Sequence, residues 1–496
     1  MKPLLSVLKA AFRSSSRKSP ARQAKKKLRR YFQLEPLEDR RVFDAAFGSV
    51  IGIGNGESAS LAHDVAVDSA GNRYVSGYFT GAVDFDPANV HAGDVDILMA
   101  AGARDAYLAK YAPDDSLLWV RQMGASISDP NAATAKGYAA EVELDTSGNP
   151  YLAGTIEGTI YFGGTSLSSV NGTDSFVAKL SAVGDFIWAK SWDNLSTDNV
   201  ASLDVDAAGN ALLLANGSGS TTTVNIRKYD ANSSFLWSKS IVVNGPYIQG
   251  GIATDSNKSI YVTGSFTGTV DFNPGSGVNN VSAGNSPYSA FTLKLDSQGN
   301  FGWVSPFLKG YSWNEDVEVD SAGNVIVGGL YRNTTSWGSV DFNPGNGVTN
   351  LSNSAGGAFV AKLNKNGGLV WVDGLNVPTD SATVRRLALD SNGAIYATGS
   401  FQGQIDLNPG SGVATAVSAG GLDIFVLKVN SSGTYQWSES FGGIGNDYAY
   451  GIAVDSANNV HLAGYFQYAV DFDAGAGDAT LTTNASKGFL KRLRQI

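Results

Sequence analysis

The segment Val65-Ala66-Val67-Asp68-Ser69-Ala70-Gly71-Asn72-Arg73-Tyr74-Val75-Ser76-Gly77-Tyr78-Phe79 returns almost unchanged as Ile452-Ala453-Val454-Asp455-Ser456-Ala457-Asn458-Asn459-Val460-His461-Leu462-Ala463-Gly464-Tyr465-Phe466. Five further copies begin at Val142, Leu203, Ile252, Val317 and Leu387, which makes seven. In each, apolar residues alternate, a polar turn follows, and a second alternating run begins, the pattern of two strands joined by a hairpin. The marker aspartates are Asp68, Asp145, Asp206, Asp255, Asp320, Asp390 and Asp455, spaced 77, 61, 49, 65, 70 and 65 residues apart. Each Asp side chain can accept hydrogen bonds from backbone N–H groups two residues on, and the Gly takes the positive-φ position. These aspartates therefore read as turn-formers, not catalysts.

Six copies continue into a second hairpin, beginning at Asp105, Thr223, Ser289, Gly357, Asp423 and Asp174. One repeat thus supplies four strands, A to D. Trp119, Trp188, Trp237, Trp303, Trp371 and Trp437 recur at one place in strand D and are expected to pack between neighbouring sheets. Seven four-stranded antiparallel sheets repeated radially make an all-β, seven-bladed β-propeller, spanning residues 42–496. The seventh copy ends on strand C, near Gly488-Phe489-Leu490. The missing strand D is expected at the other end of the chain. There Val42–Gly48 aligns with Gln436–Gly442, with Phe43 in the place of Trp437. An N-terminal strand completing the last blade removes both open sheet edges.

The repeats resemble the bacterial seven-bladed β-propeller repeat (SBBP-type) family, whose copies read "VAVDSAGNVYVTG". The resemblance covers roughly residues 43–496 and implies no reaction. Copy three departs from it, with Leu212-Leu213-Leu214 and no Asp-Phe-Asn-Pro-Gly segment, so a smaller or irregular blade is expected there.

Composition agrees with many short strands and tight turns: 59 of 496 residues are Gly and only 16% are charged. With no cysteine, disulfides, thiolate zinc sites and thiol nucleophiles are excluded. No apolar run is long enough for a transmembrane helix. Residues 1–41 carry 13 Lys and Arg against 3 Asp and Glu, whereas the remainder carries 23 against 42. The acidic body should repel nucleic-acid phosphates, so no nucleic-acid partner is expected. Residues 1–41 read as a basic leader outside the fold, disordered or partly helical.

Within the leader, Leu34-Glu35-Pro36-Leu37-Glu38-Asp39-Arg40-Arg41 resembles the N-terminal motif of many planctomycete proteins thought to be exported or surface-located. The resemblance implies an exported, extracellular or cell-surface protein. It also raises a conflict, because cleavage after Ala45 would remove Phe43 from the closing strand.

Strand alternation places the short A–B and C–D turns on one face and the long, variable B–C and D–A loops on the other. Binding groups are usually carried on loops held by a rigid scaffold, so the second face is the candidate functional face. Residues just before strand A are expected around the channel mouth: His63, Asp64, Tyr138, Glu141, Glu315, Asp316, Arg385, Arg386, Asp447 and Tyr450. A mixed-charge, tyrosine-bearing rim suits an extracellular glycan, a peptide or a protein; an ordinary solvated rim is the alternative. The B–C loops repeat an Asp-x-Asx pair: Asp84/Asp86, Asp271/Asn273, Asp341/Asn343, Asp406/Asn408 and Asp471/Asp473. Such pairs can present oxygens to Ca²⁺ or can simply form turns, and both readings stay open.

Nothing resembles a metalloprotease, a nucleophile elbow or a phosphate-binding loop. The adjacent Glu315 and Asp316 would serve acid–base chemistry only if the fold raised one pKa. The leading expectation is a monomeric binding or interaction module. The alternatives are a polysaccharide-acting enzyme in the channel and a structural envelope component.

Overall fold

In the computed structural model the described residues are 45–54, 58–87, 96–192, 198–217, 222–243, 250–333, 336–351, 356–377, 381–475 and 477–495. The leader, including Phe43, lies outside them. The chain forms seven antiparallel blades of four strands, six built from one repeat each and the seventh completed by the N-terminal strand; two short strands of the blade-six B–C excursion extend the blade-five sheet to six. Blade one consists of Ser60–Val67, Arg73–Phe79, Asp105–Tyr111 and Leu117–Met123, as strands A to D. The other A strands are Lys136–Leu144, Asp198–Val205, Ile252–Thr254, Tyr311–Val319, Ala382–Leu389 and Tyr448–Val454. The A strands of successive blades adjoin one another all the way round, blade seven meeting blade one, so they line the axis of a closed ring.

The core is divided accordingly. Seven clusters of buried apolar side chains each join one blade to the next. Sheets packed face to face exclude water from both inner faces, which is why strands B and C read as runs of buried residues. The tryptophans do sit between sheets. Trp119, Trp237, Trp303 and Trp371 lie against Gly184, Gly299, Gly367 and Gly433, the positive-φ turn residues of the following blade.

Every marker Asp caps its hairpin as expected. Asp68 Oδ1 accepts the N–H groups of Ala70 and Asn72, at 3.0 and 2.9 Å. The other six repeat this pair of bonds. Where the turn glycine is absent, Lys258 and Asn458 adopt its positive φ.

Ring closure occurs through the N-terminal strand, but six residues later than the sequence alignment placed it. Ala45–Ile53 pairs with Lys487–Gln495, Phe47 opposite Leu493 and Ser49 opposite Arg492. In blade six the equivalent pairs are Tyr435 with Val429 and Trp437 with Lys428. Ser49 therefore occupies the tryptophan position, and Gly54 occupies that of Gly442. With a serine there, the seam between blades seven and one uses charge instead. Asp115, at φ 75° where four other blades carry glycine and blade three carries Ser233, lies 2.6 Å from Arg73 and 3.7 Å from Arg492. The conflict over cleavage after Ala45 disappears, because residues 46–53 keep the strand. Copy three is regular but small: it makes a sheet of four strands, Asp198–Val205, Ala211–Gly217, Thr222–Tyr229 and Phe235–Val243, with strand C following strand B closely.

Candidate functional site

Strand A carries a bulge in six blades. Pairing with strand B jumps from Ala62 to Asp64, Ala139 to Glu141, Val200 to Ser202, Asn314 to Asp316, Val384 to Arg386 and Ala449 to Gly451. The extra residues are His63, Ala140, Ala201, Glu315, Arg385 and Tyr450. A bulge re-aims the side chain at the inserted residue. The repeated strand-B glycine makes room for it. A Cβ on Gly77, Gly154, Gly329, Gly399 or Gly464 would lie within 2.0 Å of the strand-A carbonyl oxygen opposite.

A cavity of about 120 Å³ opens at this level, and its walls come from all seven A-strand regions, from His63 through Ala140, Ala201, Gly250, Glu315 and Arg385 to Tyr450. Tyr138, Glu141, Val200 and Arg386 complete it. Nine of the ten rim residues therefore sit within strand A around the channel, rather than on the loop before it, and seven of those nine line the cavity. Asp64 is also on strand A, but it acts as a stitch between blades. Its Oδ2 accepts the N–H of Val142 at 2.9 Å, as Asp316 Oδ2 accepts that of Leu387 at 2.8 Å and Ser202 Oγ that of Ile252 at 3.2 Å. Asp447 is elsewhere: fully buried, it holds the N–H groups of Gly443 and Gln467.

Arg386 reaches across the channel to Glu141, with 2.7 Å between Nη2 and Oε1. Burial works against its charge, but Glu141, Asp316, Asp64 and Glu315 outweigh that and raise its pKa. One guanidinium cannot neutralise four carboxylates. Burial pushes Asp64 up to about 7 and Glu141 up to about 8, each opposed by Arg386. Two residues further along the same strands stand Glu143, Asp204 and Glu318. Burial and mutual repulsion raise Glu143 and Glu318, and burial raises Asp204 to about 6.

An aromatic wall borders the mouth. His63 stacks on Tyr450 with centroids 4.6 Å apart and 12° between planes, and Tyr450 stacks on Tyr448 at 5.6 Å and 4°. Tyr78 and Tyr138 flank His63, and Tyr465 packs beside Tyr448. Arg104 stands 4.6 Å over Tyr78 at one end, and Arg385 5.4 Å over Tyr448 at the other. Neither arginine forms an ion pair among the described residues, and both have a buried Nε without a hydrogen-bond partner. The Tyr138 hydroxyl lies 2.8 Å from His63 Nδ1 and 2.9 Å from Nε2. Burial, with Arg386 and Arg104 nearby, lowers the His63 pKa to about 3, so the ring is neutral.

Tyr78, Arg104, Tyr448 and Tyr465 were not among the sequence candidates. A signal existed for two of them: Tyr78 and Tyr465 occupy the strand-B position held by Ser265 and Ser400 in copies four and six.

The Asp-x-Asx pairs sit in the B–C excursions as turn acceptors. Asp271 Oδ1 accepts the N–H groups of Asn273 and Asn279, and Asp341, Asp406 and Asp471 repeat this geometry with residues two and eight further on. Asp84 accepts from Asp86. Asn273, Asn343, Asn408 and Asp473 accept from the following glycine N–H. Among the described residues no three His, Asp or Glu side chains gather as metal ligands.

Residues 436–465 match the family model described as "Beta-propeller repeat". The chain is 22% identical over 441 residues to an uncharacterised WD repeat-containing protein of Acanthamoeba polyphaga mimivirus, covering 71% of this chain and 31% of that one. The chain thus spans less than a third of that relative's length. Among solved structures, a polysaccharide lyase described as an ulvan lyase aligns at 10% identity, covering 84% of this chain and 92% of its own, with a TM-score of 0.42. A protein of unknown function from Dyadobacter fermentans aligns at 10% identity over 92% and 100%, with a TM-score of 0.39.

Proposed function

We propose that this protein is an exported or cell-surface propeller that binds a saccharide at the mouth of its central channel. One observation carries the reading: a row of stacked rings at the mouth, from Tyr78 through His63 and Tyr450 to Tyr448, ends in Arg104 and Arg385, which form no ion pair among the described residues. Half-buried tyrosines can meet the C–H and hydroxyl groups of a sugar with their ring edges and hydroxyls, and the guanidinium groups supply directional hydrogen bonds beside them. The leader motif at residues 34–41 supports export. A glycan array tests the binding. Tyr450→Ala should lose the glycans that the unsubstituted protein retains, while its melting curve shows a folded propeller. An array silent with the unsubstituted protein would end this reading. Culture fractionation with N-terminal sequencing tests export, and an intact Met1 terminus in the cytosol would contradict it.

A second reading, an enzyme acting on polysaccharide, is favoured by the neutral His63 beside the Tyr138 hydroxyl, a proton acceptor next to a donor. It requires new chain ends to form from a bound polysaccharide, and to stop forming in His63→Gln and Glu315→Gln. Binding without turnover would retire it.

A further inference from the structure

Arg385 borders a second cavity besides the channel mouth. This one, of about 210 Å³, lies between blades five and six on the same face. Arg332 enters it from strand B of blade five, and Arg385 from strand A of blade six; Ser381, Thr383 and Ser400 add hydroxyl groups. Arg332 is exposed, stands 5.9 Å from the Tyr311 ring, and makes no ion pair among the described residues. Two guanidinium groups thus share one small cavity, and among the described residues neither forms an ion pair, although the Arg385 charge is felt by Glu315 in the channel. This is the reverse of the channel, where four carboxylates crowd one arginine. It is also the reverse of the body, whose balance is strongly acidic.

We propose that the cavity between blades five and six is an anion subsite, and that the ligand of the mouth is an acidic glycan. One sugar lies against Tyr448 and Tyr450, and the carboxylate or sulfate of a neighbouring unit enters between Arg332 and Arg385. This rests on the saccharide reading above and names the ligand class. Arginine pairs suit oxyanions because each guanidinium presents a planar fork of donors, and the wall hydroxyls can complete the shell. Arg385 joins the two subsites, lying over the rings on one side and lining the cavity on the other.

The test measures affinity for glucuronate, galacturonate and mannuronate oligomers, each as free acid and methyl ester, and for sulfated oligosaccharides with their desulfated forms. The expected result is preference for the charged member of a pair. Arg332→Gln should reduce that preference about tenfold, the loss of one charge-assisted contact. Weakening with rising salt should accompany it. A carboxylate ligand shows in the ester arm and a sulfate ligand in the desulfation arm. Equal binding of charged and uncharged members, or a preference that survives in Arg332→Gln, would overturn the subsite and leave the saccharide reading standing. No binding in any arm would overturn both.

Discussion

Six of the seven marker aspartates do more than cap a hairpin: each also meets a lysine from strand C of its own blade. The pairs are Lys110–Asp68, Lys179–Asp145, Lys228–Asp206, Lys294–Asp255, Lys362–Asp320 and Lys428–Asp390, at 2.8 to 3.9 Å. In blade seven His461 takes the lysine's part, 3.0 Å from Asp455. Lys228 and Asp206 are almost wholly buried and lie 2.8 Å apart. Removing one partner leaves a buried charge uncompensated, so Lys228→Ala should lower unfolding stability by about 3 kcal/mol in a urea titration. A loss below a few tenths would show that the Asp206 turn bonds suffice. The lysines stand in the repeated segments of strand C, and the aspartates in those of the A–B turn. Periodicity exposed both, but only the sheet register shows that they touch.

At the scale of strands, the ring depends on nine residues far from its C-terminal blade. A chain beginning at Ala46 keeps the pairs from Arg494 to Gly488 and should melt within a few degrees of the longer protein. A chain beginning at Gly54 leaves the Lys487–Gln495 edge open and should melt much earlier or aggregate. Equal melting of the two would refute closure by this strand. The six-residue error in its sequence alignment has a physical cause: Ser49 stands where the repeat has tryptophan, and the Arg73–Asp115–Arg492 cluster replaces the tryptophan's role. A closing strand lacking the shared residue cannot be aligned by that residue. The B–C excursions give a second test. Their Asp Oδ1 atoms already hold two N–H groups in four blades, so millimolar Ca²⁺ should leave the melting midpoint unchanged. A rise that disappears in Asp406→Asn would assign calcium to these loops.

At the scale of the whole molecule, two sets of carboxylates pull stability in opposite directions with pH. At the turns of Asp68, Asp145, Asp206 and Asp320, burial alone would raise the pKa, but the Asn side chains, backbone N–H groups and lysines outweigh it and lower it; Asp455 falls to about 2. Their contribution is complete above the ordinary carboxylate value and is lost as the pH falls through the folded values. The channel acids are raised instead, Asp204 to about 6, Asp64 to about 7 and Glu141 to about 8. Their contribution is complete below the unfolded value and is lost as the pH rises through 6 to 8. The melting midpoint should therefore peak near pH ~5 and decline on both sides. Glu143→Gln with Glu318→Gln should flatten the alkaline decline alone. A midpoint still rising from pH 5 to 8 would contradict the channel assignment.

The sequence by itself determined the number of blades, their four strands, the turn chemistry and the need for a closing strand. Each follows from short-range periodicity, which repeats wherever the backbone does. It also named most of the channel residues, because the position before Asp-Ser-Ala-Gly-Asn is fixed within the repeat. Only the tertiary structure decided that these residues sit inside strand A, four of them on bulges, that Asp64 and Asp316 stitch blades and Asp447 is buried, and that Arg104, Tyr78 and Tyr448 join Tyr450 in one wall. Those relations connect blades hundreds of residues apart, and no local pattern encodes which side chains meet across the axis of a ring.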